Sequence, residues 1–130
     1  IIALENKNDF YSLFQVSTRP FWDTHYSFTS TSVKRKKRIT KSFIDLLLIN
    51  TIIPLKFVYQ NYIGKFDEKQ FLKLIQQIKP EKNSVIEKFN NLKVESNNAL
   101  ETQALLELKN TYCVPQKCLN CAIGNVVMKV

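Results

Sequence analysis

The feature that most constrains this chain is a set of three helix-start pairs in its second half. Asp67 is followed three residues later by Gln70, Ser84 by Glu87, and Asn98 by Glu101. A short polar side chain accepts from the first free backbone amides of a helix, and a Glu or Gln three residues on reaches back. Each pair stands just ahead of an apolar stripe at helical spacing: Phe71, Leu74, Ile75 and Ile78; then Val85, Ile86, Phe89 and Leu92; then Leu100, Ala104, Leu105 and Leu108. Three agreeing signals predict a helical second half. Cys121 to Met128 reads as a last short helix.

Upstream, Leu4 to Phe14 reads as a short helix with Leu4, Phe10, Leu13 and Phe14 inward, ended by Arg19-Pro20. Phe21 to Thr31, rich in aromatic and hydroxyl residues, reads as extended or loop-like, with a short strand pair as an option. Thr40 or Ser42 caps a long central helix, Phe43–Tyr62, that Pro54 should kink and Gly64 should stop. The fold class expected is mainly α: an irregular helical bundle with a kinked central helix, an aromatic extended segment near the N-terminus and a cysteine-bearing C-terminal segment. Its expected core is Phe43, Leu47, Ile52, Phe57, Phe71, Leu74, Ile78, Ile86, Leu105 and Leu108.

Residues 1–130 are read as a single helical domain, the usual size for one. With 45% apolar and 23% charged residues, long disorder is excluded. Two glycines cannot build a phosphate-cradling loop, and three cysteines are too few for a disulfide scaffold. The stretch Phe43 to Leu55 carries Asp45, Asn50, Thr51 and Pro54, and is read as a buried core helix rather than a membrane span. Ile1 begins mid-pattern with no leader, so the chain is expected to be a piece of a longer protein. No catalytic residues are assigned.

Lys and Arg number 19 against 11 Asp and Glu, a net +8 that favours polyanionic neighbours. Five cations, Lys34, Arg35, Lys36, Lys37 and Arg38, stand in a row and resist burial. Beside them lie Trp22, His25, Tyr26 and Phe28. Aromatics stack on bases and cations neutralise phosphates, so these residues form a candidate DNA or RNA contact. The alternative, that the aromatics pack inward and the cations are simply solvated, is the commoner outcome beside a helix bundle.

Cys113, Cys118 and Cys121 are separated by four and then two residues. A two-residue gap lets two thiolates point at one metal, as in zinc and iron–sulfur sites. With Pro115 breaking the chain, the three sulfurs are expected to fold back toward one another. His25, the single histidine, is the candidate fourth ligand; otherwise that ligand lies upstream. The alternatives are small buried hydrophobes, or one disulfide plus a spare thiol, which a reducing cytosol disfavours.

Several segments carry a family resemblance: Phe21-Trp22, His25-Tyr26 and Phe28; Ile49-Asn50-Thr51-Ile52-Ile53-Pro54 and Tyr59; Pro80-Glu81-Lys82-Asn83; Gln103-Ala104-Leu105 with Leu108-Lys109; and Tyr112-Cys113, Lys117-Cys118-Leu119, Cys121 and Ile123-Gly124. From about Phe14 to the end, the chain resembles the C-terminal portion of an uncharacterised bacterial family, domain of unknown function 2851. Longer members carry acidic and histidine motifs upstream that resemble a restriction-endonuclease-like core, and none is present here. The resemblance implies a helical C-terminal accessory module of a larger protein that is nuclease-like upstream, partnered by that protein's N-terminal part, and it carries no nuclease activity over to these residues; the expected location is cytoplasmic. The second reading is a self-standing domain stabilised by zinc or an iron–sulfur cluster.

Overall fold

The computed structural model describes residues 1–128. Helix makes up 59% of the described residues, which contain no strand. The mainly α fold is therefore the one expected. Residues 1–74 and 75–130 form two compact units.

In residues 1–74, α1 spans Lys7–Leu13 and α2 spans Lys41–Leu47. A π-helical turn, Leu48–Ile52, joins α2 to α3, Ile53–Tyr62. Thr40 is the cap, its hydroxyl accepting from the Phe43 amide at 3.2 Å. Gly64 stops the helix in the left-handed region at φ 67°. The amides of Gly64 and Lys65 turn back onto the carbonyls of Asn61 (3.1 Å) and Gln60 (2.9 Å), which satisfies two otherwise unpaired acceptors.

The π turn lies just ahead of Pro54 and decides which face of the central helix is buried. The buried positions repeat at a spacing of four: Ile44, Leu48, Ile52 and Lys56, flanked by Asp45, Ile49 and Ile53. In an α-helix such a repeat drifts by about 40° per step, roughly 120° over three steps. One extra residue in a turn returns about 100° of that drift, so the stripe stays on one face. Two expected core residues lie off this stripe: Phe43 is 52% exposed and Phe57 44% exposed. Phe57 packs instead in a peripheral cluster with Phe66 and Phe71, centroids 5.1 to 5.6 Å apart.

Two charged side chains lie on the buried stripe. Asp45 accepts from the Tyr11 hydroxyl at 2.6 Å. Lys56, 1% exposed, donates to the carbonyls of Ile2 and Leu4, each at 2.8 Å. Burial pushes the Lys56 ammonium below the ordinary lysine range, partly offset by Glu5. Lys41–Tyr62 as a whole is 22 residues long and apolar enough to cross a membrane by length and composition. It exceeds the Phe43–Leu55 stretch because the helix continues at both ends. Its Asp45 and Lys56 are satisfied by residues of the N-terminal segment, as befits a helix in a folded core.

α4, Glu68–Gln76, starts where Asp67 accepts from the Gln70 amide at 3.0 Å. In residues 75–130, α5 spans Ser84–Asn91, α6 Ala99–Glu107 and α7 Ala122–Met128. The α5 cap is Asn83, one residue before the expected Ser84. Its carboxamide oxygen accepts from both Val85 and Ile86, each at 3.0 Å, a pairing the shorter serine hydroxyl does not match here. The Asn98–Glu101 box forms as expected: the Glu101 amide donates to Asn98 Oδ1 at 3.1 Å, and the Glu101 carboxylate accepts from Asn98 Nδ2 at 2.8 Å and the Asn97 amide at 2.6 Å. Ile75, Ile78, Ile86, Ala99 and Thr102 are buried, whereas Leu105 and Leu108 are only half-buried.

Candidate functional site

Residues 17–41 fold back on themselves between α1 and α2. Pro20 opens a single 3-10 turn, Pro20–Asp23. An isolated bridge pairs His25 with Thr31, and another pairs Ser17 with Arg38. The Ser32 amide donates to the Thr24 carbonyl at 2.6 Å and the Arg35 amide to the Asp23 carbonyl at 2.7 Å. The Thr18 hydroxyl donates to the Lys37 carbonyl at 3.3 Å. The cation run is therefore held to the aromatic segment by its backbone at several points, with only two bridges' worth of extended pairing.

The five cations are not equivalent. Lys34, Arg35, Lys36 and Arg38 are exposed, and among the described residues their side chains make no hydrogen bond or ion pair. Lys37 is half-buried. Its ammonium donates to the His25 carbonyl and sits 3.3 Å from the centre of the Tyr26 ring, a cation–π contact. Lys37 is a tie between the two halves of the loop, not part of its solvated edge.

The aromatic residues do not form the interior expected of them. Phe21 stacks on the His25 ring at 4.0 Å and 9°. Trp22 meets Phe21 edge-on at 5.1 Å and Phe28 at 5.2 Å. This cluster packs on itself, and it leaves Phe28 81% and Tyr26 70% exposed. A loop of this length has too little chain to bury four rings, so the outermost stay in water.

Arg38 continues the charge into two surface hollows. One, of about 530 Å³, is lined by Tyr11, Ser12, Gln15, Thr40 and Lys41. The other, about 540 Å³ and more apolar, is lined by Val16, Thr18, Ile39 and Phe43. Lys41 thus extends the basic strip beyond the five residues singled out from sequence; the signal was there, as six cations in the eight residues 34–41.

At the other candidate site, Cys113 closes a π-helical segment, Leu108–Cys113, and Cys118 opens a 3-10 turn, Cys118–Asn120. Between them Gln116 turns through the left-handed region at φ 56°, and the Lys117 amide closes onto the Tyr112 carbonyl at 2.8 Å. Cys113 and Cys118 are exposed, Cys121 is buried and all three are free thiols. Among the described residues no three His, Cys, Asp or Glu side chains are grouped to hold a metal ion. The expected gathering of the three thiols into a zinc or iron–sulfur ligand set is thus not what the structure shows: helix persists through Cys113, and the turn that follows leaves two thiols in solvent. His25 is engaged within its own loop. Its Nδ1 lies 3.0 Å from the Phe21 carbonyl oxygen and 2.9 Å from the Thr24 hydroxyl.

Fold and site together define a helical module bearing an exposed basic and aromatic loop. Its residues 1–84 match the family described as a protein of unknown function (DUF2851), and the chain belongs to that family. The matched span holds the aromatic segment, the cations and the central helix, and ends before the cysteines, which lie outside it. No curated protein and no solved structure matches the chain.

Proposed function

We propose that this chain contacts nucleic acid through Lys34, Arg35, Lys36 and Arg38, as a helical accessory module of a longer protein. The observation that supports this reading is the set of four exposed and unpaired cations within five residues, on a backbone pinned in place. Free cations in water are what counterion release from a phosphate backbone requires. The charge excess also sits in this part of the chain: residues 1–74 hold 12 Lys and Arg against 6 Asp and Glu. The resemblance to longer, nuclease-like members supports the accessory role; no catalytic group is assigned among the residues here.

The test is a salt series with labelled DNA and RNA on the wild type and on a variant with Lys34, Arg35, Lys36 and Arg38 replaced by Gln. Lys37 is kept because it holds the loop. The wild type should bind, and log Kd should vary with log salt with a slope reduced in the variant by up to about 3, since each phosphate contact contributes about 0.7 to 0.9. Identical binding by both proteins, or no binding by the wild type, refutes the proposal.

A further inference from the structure

The same loop carries a second kind of information, in its rings. Phe28 is held from one side by Trp22 at 5.2 Å and Phe21 at 6.0 Å while 81% of its surface stays in water. Tyr26 is held by the Lys37 ammonium at 3.3 Å and is 70% exposed. Both rings are thus fixed in position and yet uncovered. Water contact with an aromatic ring is unfavourable, so two such rings side by side with cations mark a surface whose partner supplies both apolar faces and negative charge.

We infer that the ligand of this surface is single-stranded nucleic acid, with bases stacked on Phe28 and Tyr26 and phosphates neutralised by Lys34, Arg35 and Lys36. This deepens the reading above and rests on it. A duplex offers its phosphates but keeps its base faces stacked on one another, so it has nothing to place on an exposed ring. A single strand presents a flat apolar face and a negative charge with every nucleotide, and rings beside cations are the matching pair. The backbone ties from Ser32 to Thr24 and from Arg35 to Asp23 hold the start of the cation run against residues 23–24, next along the chain to the turn that bears the rings. Because the rings are pre-positioned, binding does not have to order them first.

The experiment uses the full chain and three labelled probes of about 20 units: an oligothymidine, an abasic strand of the same length, and a duplex. Oligothymidine should bind roughly 10-fold or more tightly than either of the others. Trp22, the only tryptophan, touches Phe28 and should change its fluorescence with oligothymidine alone. A Tyr26→Leu, Phe28→Leu variant keeps apolar bulk against Trp22 but removes the π faces. It should lose about 5- to 150-fold in oligothymidine affinity per stacked base, with the salt slope unchanged and duplex binding unaffected. Equal affinity for all three probes, or an unaltered leucine variant, overturns the inference while the phosphate contact stands. Binding to none of them, or to anionic lipid vesicles alone, overturns both. Should the leucine variant fail to fold, the comparison of oligothymidine with the abasic strand decides on wild type alone.

Discussion

Removing one hydroxyl from Tyr11 should expose how much of the fold hangs on the buried end of the central helix. Asp45 is 7% exposed, and its carboxylate accepts the Tyr11 hydroxyl at 2.6 Å, a short, charge-assisted bond. Tyr11→Phe keeps the ring, and with it the contacts of Lys7 and Lys41 at 5.6 and 5.3 Å from its centre, so the change isolates the bond. Leaving a buried carboxylate short of a donor costs about 1.5–3 kcal/mol. Because Tyr11 is only half-buried and water can partly take its place, we expect about 2 kcal/mol. Urea unfolding at pH 7 should show it as a lowered midpoint with unchanged slope. A cycle with Asp45→Asn should be non-additive by at least about 1 kcal/mol. The bond also has an alkaline signature. Burial, then the hydrogen bond and charge of Asp45, raise the Tyr11 phenol above its ordinary value of 10. A raised folded value means stability that is full below pH 10 and lost as pH climbs beyond it. The gap between wild type and Tyr11→Phe should therefore shrink above pH 10, by up to about 1.4 kcal/mol per unit. A loss under about 0.5 kcal/mol at pH 7, or additive single variants, would refute the reasoning.

Lys56→Met should leave global stability within about 1 kcal/mol of wild type, because the lost carbonyl bonds are offset by the relief of a buried charge. Hydrogen exchange at Ile2 to Glu5 should nevertheless rise, and the variant should lack the gain in stability that wild type shows as alkaline pH discharges Lys56. Gly124→Ala should destabilise the C-terminal segment by about 1–3 kcal/mol, because its Cβ would lie 2.3 Å from the Cys118 carbonyl oxygen; a thermal melt unchanged from wild type would contradict that contact. Cys118→Ala should cost no more than about 1 kcal/mol for an exposed thiol, and a chelator should leave the melt unchanged. A chelator-induced loss of several kcal/mol would instead show a metal at the cysteines.

What was legible in the sequence was local. Thr40, Asp67 and Asn98 could be read as caps because a cap is satisfied by amides two or three residues away. Gly64 could be read as a stop for the same reason, since its left-handed φ is a property of one residue. The face of the central helix was not legible. Apolar character assigns Phe43 and Phe57 to the core, and nothing in the letters announces that one turn ahead of Pro54 takes an extra residue. Once it does, the polar positions Asp45 and Lys56 become the buried ones. Composition then misleads as well, because burying a lysine makes sense only when two carbonyls 52 and 54 residues away are there to receive it.

The candidate interface divides in the same way. That a run of five cations stays in solvent follows from their mutual repulsion, and four of the five do so. Which one turns inward depends on partners the run does not contain. Lys37 finds the His25 carbonyl and the Tyr26 ring only because Thr31 pairs with His25 and brings the loop back under it. That choice changes the chemistry of the whole segment. A free Lys37 would add one more phosphate contact to a loop able to move; a tied Lys37 gives up that contact and fixes Tyr26 beside the remaining charges. The loop then has fewer free cations than its sequence suggests, but its backbone is tied and its Tyr26 ring is held. Lys37→Gln separates the two roles. It should weaken oligothymidine binding through Tyr26 while leaving duplex binding and its salt slope nearly as they were, whereas Lys36→Gln should lower the slope for both by about 0.7 to 0.9. If Lys37→Gln instead behaves like Lys36→Gln on both ligands, the lysine is an ordinary phosphate contact and the tie has no part in recognition.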